Sequence, residues 1–77
     1  MIRNAIEAEK VLKKTNPKEK VYKRYYGNID NKDYYAFLIS DDKALINSAI
    51  IVDASTGQHG IINGLLVKPI LENFKEI

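Results

Sequence analysis

The chain has 77 residues, a hydrophobic fraction of 45% and a net charge of +2. This length allows one small domain over residues 1–77 and excludes a second hydrophobic core. The absence of cysteine excludes disulfides and thiolate metal sites, and no apolar run approaches the roughly 20 residues that a transmembrane helix needs.

A helical pattern predicts an N-terminal helix over residues 3–15. Its apolar stripe consists of Ala5, Ala8, Leu12 and Thr15. Asn4 is suited to cap the first turn, and Glu9 and Lys13 are spaced as a favourable i,i+4 ion pair. The helix is expected to end before Pro17, because the residue that precedes a proline is pushed out of the helical region.

Three β-rich runs predict antiparallel strands. The predicted segments are strand one over Val21–Gly27, a loop over Asn28–Asp33, strand two over Tyr34–Ser40, a tight acidic turn over 41–43 and strand three within Ala44–Ala54. In strand two, Tyr35, Phe37 and Ile39 form the more apolar side, which we expect to face the helix. Strand three contains the β-branched run 49–52 and is predicted to be the central strand of the sheet.

The last third of the chain admits two predictions. The favoured one has a fourth strand over Gln58–Ile62, a type I′ hairpin turn at Asn63-Gly64, a fifth strand that ends at Val67 or Lys68, and a final helix that begins at Pro69. The other makes 64–76 a single helix, which would place Pro69 in its interior at a cost of about 3 kcal/mol. Either way the fold class is α+β: an N-terminal helix on an antiparallel sheet of three to five strands, with a short C-terminal helix.

The stretch Val52-Asp53-Ala54-Ser55-Thr56-Gly57 resembles the V-D-A-x-T-G element of PepSY domains. The resemblance covers residues 3–62, because the order of a helix followed by an antiparallel meander is similar to that family's half-cystatin arrangement. It implies a non-enzymatic module, often outside the cytoplasmic membrane, that inhibits or regulates peptidases. It also implies that the matching residues, Val52, Asp53, Ala54, Thr56 and Gly57, are structural residues of a strand end and turn.

Two groups of residues invite a catalytic or metal-binding interpretation. Asp53, Ser55 and His59 contain the residue types of a triad, but they lie within seven residues and no oxyanion donors are identifiable, so local turn bonding is favoured. The acids Asp30, Asp33, Asp41 and Asp42 lack the spacing of a calcium loop. With one histidine in the chain, we expect a protein that is not an enzyme and that uses no metal and no cofactor.

A basic stretch between Lys10 and Arg24 supports an alternative function. It interleaves tyrosines with cations, as single-strand nucleic-acid surfaces do. The residues that would carry nucleic-acid binding are Lys13, Lys14, Lys18, Lys20, Lys23 and Arg24. A lysine-rich helix end followed by a half-exposed strand produces the same pattern without any ligand.

Tyrosine-rich strands in a small domain favour a protein-binding module. The residues expected to contact the partner are Tyr25, Tyr35, Gln58 and His59. The route would be a sheet edge that accepts a partner strand, or that pairs with a second copy in a homodimer. The size also suits a phage-encoded inhibitor. No signal peptide is evident, which predicts a cytoplasmic protein, or an extracellular or membrane-associated one if a leader has been removed.

Overall fold

A computed structural model describes residues 2–41 and 43–77 and confirms the α+β fold class. The elements are α1 (Ala5–Thr15), β1 (Lys23–Ile29), β2 (Lys32–Leu38), β3 (Ser48–Asp53), β4 (His59–Asn63), a 3₁₀ turn (Gly64–Leu66), α2 (Val67–Leu71) and β5 (Lys75–Glu76). The sheet is antiparallel and has the strand order β4-β3-β2-β1-β5.

Helix α1 begins at Ala5, two residues later than predicted, with Asn4 as its cap. The Asn4 side chain accepts a hydrogen bond from the backbone N–H of Glu7 at 2.9 Å, and Glu7 returns one by accepting from the backbone N–H of Arg3. The first bond satisfies an N–H group that the first helical turn leaves unpaired, and the second ties down the residue before the cap. The helix ends at Thr15, before the Asn16-Pro17 pair, as predicted.

The first two strands extend further toward each other than predicted. The expected loop over Asn28–Asp33 is reduced to a two-residue turn at Asp30 and Asn31, which have φ angles of 53° and 65°. Both residues tolerate this left-handed region, and a turn with two positive φ values matches the twist of a hairpin. The strands therefore run Lys23–Ile29 and Lys32–Leu38, in place of the predicted Val21–Gly27 and Tyr34–Ser40.

One face of the sheet packs on α1 and holds the main core. Tyr35, Phe37, Ile50 and Val52 from β2 and β3 meet Ala8 and Leu12 of the helix, with Ile39 packed alongside. The predicted orientation of strand two is therefore confirmed. Burial of these side chains is the main stabilisation available to a short helix that would be marginal alone.

The C-terminal segment packs on part of the opposite face. The aromatic ring of Phe74 lies so close to Gly27 of β1 that a Cβ on this glycine would be 2.8 Å from Cγ of Phe74. Beside it, Ala36 and Ala49 are fully buried on the same face, as their register with Tyr25 and Leu38 requires. Small residues on this face allow the C-terminal segment to approach the sheet closely.

The predicted hairpin at Asn63-Gly64 is wrong. Asn63 is extended, with φ −130° and ψ 156°, and only Gly64 has a positive φ, of 78°. A type I′ turn needs positive φ at both positions. Leu65–Val67 is consequently not a strand: the chain makes a 3₁₀ turn and enters α2 at Val67, whose side chain is buried.

The two predictions for the final helix are also wrong in their bounds. Helix α2 begins two residues before Pro69 and ends at Leu71, so it is neither a helix from Pro69 nor one over 64–76. Pro69 is tolerated because it lies in the first turn of α2, where N–H groups have no partner within the helix. The fifth strand follows this helix and pairs with β1.

Strand three is shorter than the stretch that was expected to contain it, and residues 44–47 belong to the preceding loop. The tight turn predicted at 41–43 lies partly outside the described residues; on its described side, the Asp41 carboxylate accepts from the backbone N–H of Lys43.

The fourth strand begins at His59, one residue later than predicted. The prediction that strand three is the central strand is wrong: the middle strand of the five is β2, and β3 lies between β2 and the edge strand β4.

Candidate functional site

Strand β4 leaves one edge of the sheet open. At the two ends of its pairing with β3, the Asp53 N–H donates to the Gln58 carbonyl and the Gly64 N–H donates to the Asn47 carbonyl, each at 2.8 Å. In an antiparallel ladder, bonded residues alternate with residues whose N–H and C=O point away. His59, Ile61 and Asn63 therefore direct their backbone groups outward, and no other strand in the described part of the chain lies against them.

The side chains on β4 do not protect this edge. The strand HGIIN contains no charged residue and no proline, the two commonest devices against unwanted strand pairing. Ile61 is 51% exposed although it lies directly opposite the fully buried Ile50. The β4 edge thus combines unpaired backbone groups with an apolar side chain.

An exposed apolar patch adjoins the Asn63 end of this edge. Leu45, Ile46 and Leu65, which we call the leucine patch, line a cavity of about 250 Å³ between the β2–β3 loop and the 3₁₀ turn. Leu45 is fully exposed and Leu65 is 94% exposed. The hydrogen bond from Gly64 to Asn47 holds the two segments together. Large contiguous apolar patches are typical of interaction sites in soluble proteins, so the leucine patch is included in the candidate site.

The sequence did not identify the leucine patch, because its residues were assigned to strands. Leu45 and Ile46 were expected within strand three, and Leu65 within strand five. The sequence feature that could have revealed the patch is the presence of leucine and isoleucine next to turn residues, at positions with no evident strand partner. The pairing of β3 with β4 places these residues outside both strands, and only then is it evident that their side chains are exposed.

The four residues expected to contact a partner do not form one surface. Tyr35 is only 9% exposed and packs in the core on the side of β2 that faces α1. The expectation that it lies on an exposed contact surface is therefore wrong. Tyr25 is half-buried on the opposite face, in a cleft with Leu71 of α2. Gln58 and His59 are exposed and lie at the start of β4.

His59 links the open edge to the end of α1. Its Nε2 lies 2.9 Å from Oγ1 of Thr15. The contact spans the helix–sheet interface and restrains the imidazole on the α1 face of β4. His59 is therefore placed beside any strand that pairs with β4, and its role in partner binding stays a prediction.

The basic stretch is divided over several surfaces. Arg24 makes a two-pronged salt bridge with Glu9, at 2.7 and 3.2 Å, in place of the predicted Glu9–Lys13 pair. Lys13 instead donates to the carbonyl oxygen of Glu19. Lys23 lines the cleft beside α2, on the opposite face from Arg24. Lys14, Lys18 and Lys20 are exposed, and Lys20 lies 5.1 Å from the Tyr22 ring centroid.

The turn after β3 is built by Asp53. Its carboxylate accepts from the hydroxyl and the backbone N–H of Ser55, at 2.7 and 2.8 Å, and these bonds lower the pKa of Asp53. His59 bonds to Thr15 and not to Ser55, which agrees with the structural interpretation of the three residues.

A second carboxylate stabilises the β1–β2 hairpin. Asp33 accepts from the Tyr26 hydroxyl at 2.6 Å and from the Asn28 side-chain amide at 2.8 Å. The bond to Tyr26 lowers the pKa of Asp33 and raises the pKa of Tyr26, because it stabilises the carboxylate and the neutral phenol. Tyr26 also packs on Tyr35, with ring centroids 5.4 Å apart.

Within the described residues, no group of three or more His, Asp or Glu side chains could hold a metal ion. The helices described here are also too short and too polar to cross a bilayer.

Comparison of the chain with protein-family models, with curated proteins and with solved structures finds no match. The PepSY resemblance therefore stays a prediction.

Proposed function

We propose that this protein is a non-enzymatic protein-binding module that accepts an extended segment of its partner along β4. The observation that carries the proposal is the open β4 edge, with outward backbone groups at His59, Ile61 and Asn63. Backbone hydrogen bonds give affinity in strand addition, and pockets beside the edge select side chains.

The leucine patch supports the same proposal. Leu65 follows closely after Asn63 and lines one cavity with Leu45, so apolar side chains of a segment that continues past Asn63 can cover both. Covering these side chains removes apolar surface from water, which contributes about 25 cal/mol for each Å². We therefore expect a partner segment with alternating apolar residues at one end and a larger apolar side chain beyond it.

Amide hydrogen exchange tests the proposed geometry. Extended peptides selected for binding by peptide display are added to the full chain, and exchange is followed by NMR. We expect slower exchange at His59, Ile61 and Asn63, with little change at Gly60 and Ile62, because the latter N–H groups already point to β3. Selected peptides that bind without protecting the first three amides would contradict the proposal.

Two matched substitutions locate the contact. Ile61→Lys places a charge on the open edge, and Ile77→Lys places one at an exposed isoleucine beyond β5, at the other edge of the sheet. We expect Ile61→Lys to weaken peptide binding at least tenfold and Ile77→Lys to leave it unchanged, since lysine on an edge strand opposes pairing. Equal effects of the two substitutions would place the contact elsewhere.

The PepSY resemblance names a class of partner, a peptidase. We further propose that the partner is a peptidase that this chain regulates. An assay of a panel of purified peptidases with the wild-type chain and with Ile61→Lys tests this. Inhibition by the wild-type chain that is lost with Ile61→Lys is the expected result. Inhibition that both chains share equally would contradict an action through β4.

A second copy is another partner for the same edge. Two β4 strands can pair antiparallel around Ile61 without bringing like charges together, since the strand is uncharged. Light scattering at increasing concentration distinguishes this case: a dimer that Ile61→Lys dissociates means that the edge pairs with itself. A wild-type chain that stays monomeric would show that the edge does not pair with itself, which favours a different protein as the partner.

A further inference from the structure

The outer side of α1 carries an open groove that is separate from the β4 edge. Its volume is about 630 Å³, and its lining residues are Ile6, Glu9, Lys10, Lys13, Lys14 and Arg24. Ile6 is 70% exposed, although Ala8 and Leu12 on the inner side of the same helix are fully buried. The groove thus has an apolar residue at one end and basic residues along its length.

The charges of this groove are not balanced within the chain. Arg24 and Glu9 neutralise each other in the only side-chain ion pair among residues 2–41 and 43–77. Lys13 is held by a carbonyl oxygen, which positions its ammonium group but carries no charge. Three lysines, at positions 10, 13 and 14, therefore leave a positive potential over the groove.

The chemistry of the lining favours a protein segment over a nucleic acid. No aromatic ring lines the groove, so it offers bases nothing to stack on. The tyrosines of the basic stretch are engaged elsewhere: Tyr22 with Lys20, Tyr25 in the cleft beside α2, and Tyr26 with Tyr35. Ile6 is apolar surface that a polyanion would leave uncovered.

From this complementarity we propose that the α1 groove binds an acidic amphipathic segment of a partner protein. Carboxylates of the segment pair with Lys10, Lys13 and Lys14, and one apolar side chain covers Ile6. Long-range attraction by the lysines speeds the encounter, and the apolar contact adds lifetime to the complex. The groove and the β4 edge involve different residues, so this proposal stands independently of strand addition.

Fluorescence anisotropy with designed probes tests the proposal on the full chain. The probe is a labelled helix-forming peptide with glutamates on both sides of one leucine. Two matched peptides replace its glutamates by glutamine or its leucine by alanine, and a single-stranded oligonucleotide of equal charge serves as a competitor. We expect binding at low ionic strength that weakens as salt is added, and we expect both peptide changes to weaken it.

Substitutions then place the binding in the groove. Lys10→Glu and Lys14→Glu are each expected to weaken the probe roughly tenfold, since reversing a charge turns attraction into repulsion. Lys18→Glu makes the same change at an exposed lysine outside the groove and is expected to have a much smaller effect. Ile6→Ser should weaken binding without changing its salt dependence. Circular dichroism and the milder Lys10→Gln guard against misfolding.

Several results would overturn the proposal. They are no binding of the glutamate peptide at low salt, an oligonucleotide that displaces it at lower concentration than unlabelled peptide does, or equal losses for Lys10→Glu and Lys18→Glu. A leucine-to-alanine peptide that binds as well as the parent would equally show that Ile6 takes no part.

Discussion

The two edges of the sheet are treated in opposite ways. On the other side of the sheet, part of β1 is covered by the short edge strand β5, where Glu76 and Lys75 pair with Tyr25 and Tyr26 and the Ile77 N–H donates to the Arg24 carbonyl at 2.9 Å. The β4 edge has no such cover, and it adjoins fully exposed leucine surface. An unprotected edge is an aggregation liability in a soluble protein, and covering it is the role that we propose for the partner.

An aromatic contact helps to hold β5 on β1. Strand β5 has only two residues, too few to be stable alone. Phe74, immediately before it, is buried over Gly27 and anchors the segment on the sheet. Replacing Phe74 should therefore uncover β1 and make the two sides of the sheet alike, whereas changes in β4 affect only the open edge.

Phe74→Ala should have the largest effect. Loss of a buried phenylalanine costs about 3–5 kcal/mol, a large part of the stability of a domain this small. We expect β5 to detach and the β1 edge to open. Urea unfolding measures the loss, and amide exchange at Ile77 and Tyr26 reports the detachment.

An unchanged exchange rate at Ile77 would show that β5 holds without the ring. Ile77→Ala is the control, because it removes an exposed side chain from the same segment.

Ile50 and Ile61 allow a comparison within one cross-strand pair. Truncating the fully buried Ile50 to alanine should cost about 2–5 kcal/mol, whereas the same change at half-exposed Ile61 should cost about 1 kcal/mol or less. Chemical denaturation of the two variants measures the difference. Similar losses would mean that Ile61 is packed as firmly as its partner, which would contradict its exposure.

Gly27→Ala should destabilise the chain by a smaller amount, about 1–3 kcal/mol, because the new Cβ overlaps the Phe74 ring. We expect the variant to shift the NMR signals of Phe74 and β5 while those of β4 stay in place. Combining it with Phe74→Ala tests the cause: the glycine substitution should cost much less once the ring is gone. Additive losses would contradict the contact.

Of the four predicted changes, lowering the pH should destabilise the fold least, by weakening two turns of the sheet. Asp33 and Asp53 have folded-state pKa values below the unfolded ones, so their contribution is present above the unfolded pKa and is lost as pH falls through the folded pKa. Urea unfolding should show stability that decreases as pH falls below about 4. Asp53→Asn should flatten this decrease; an identical pH profile would contradict the role of its bonds.

Local chemistry determined α1 and the inner strands. The helix was predictable because its cap, its apolar spacing and its terminating proline lie within the helix or next to it. Tyr35 and Phe37 were placed correctly because alternation along a strand depends on neighbours in sequence alone. The same rule showed that Tyr35 faces the helix, although it was also proposed as a surface contact.

Only the tertiary structure decided the C-terminal third and the candidate binding surface. Asn63-Gly64 has strong hairpin preference, yet the chain instead buries Val67 and Phe74 on the second face of the sheet. A turn preference is worth less than burying these two side chains. Which edge of a sheet stays open, and which leucines find no cover, depends on contacts between residues far apart in sequence, so residue order within a short window does not encode them.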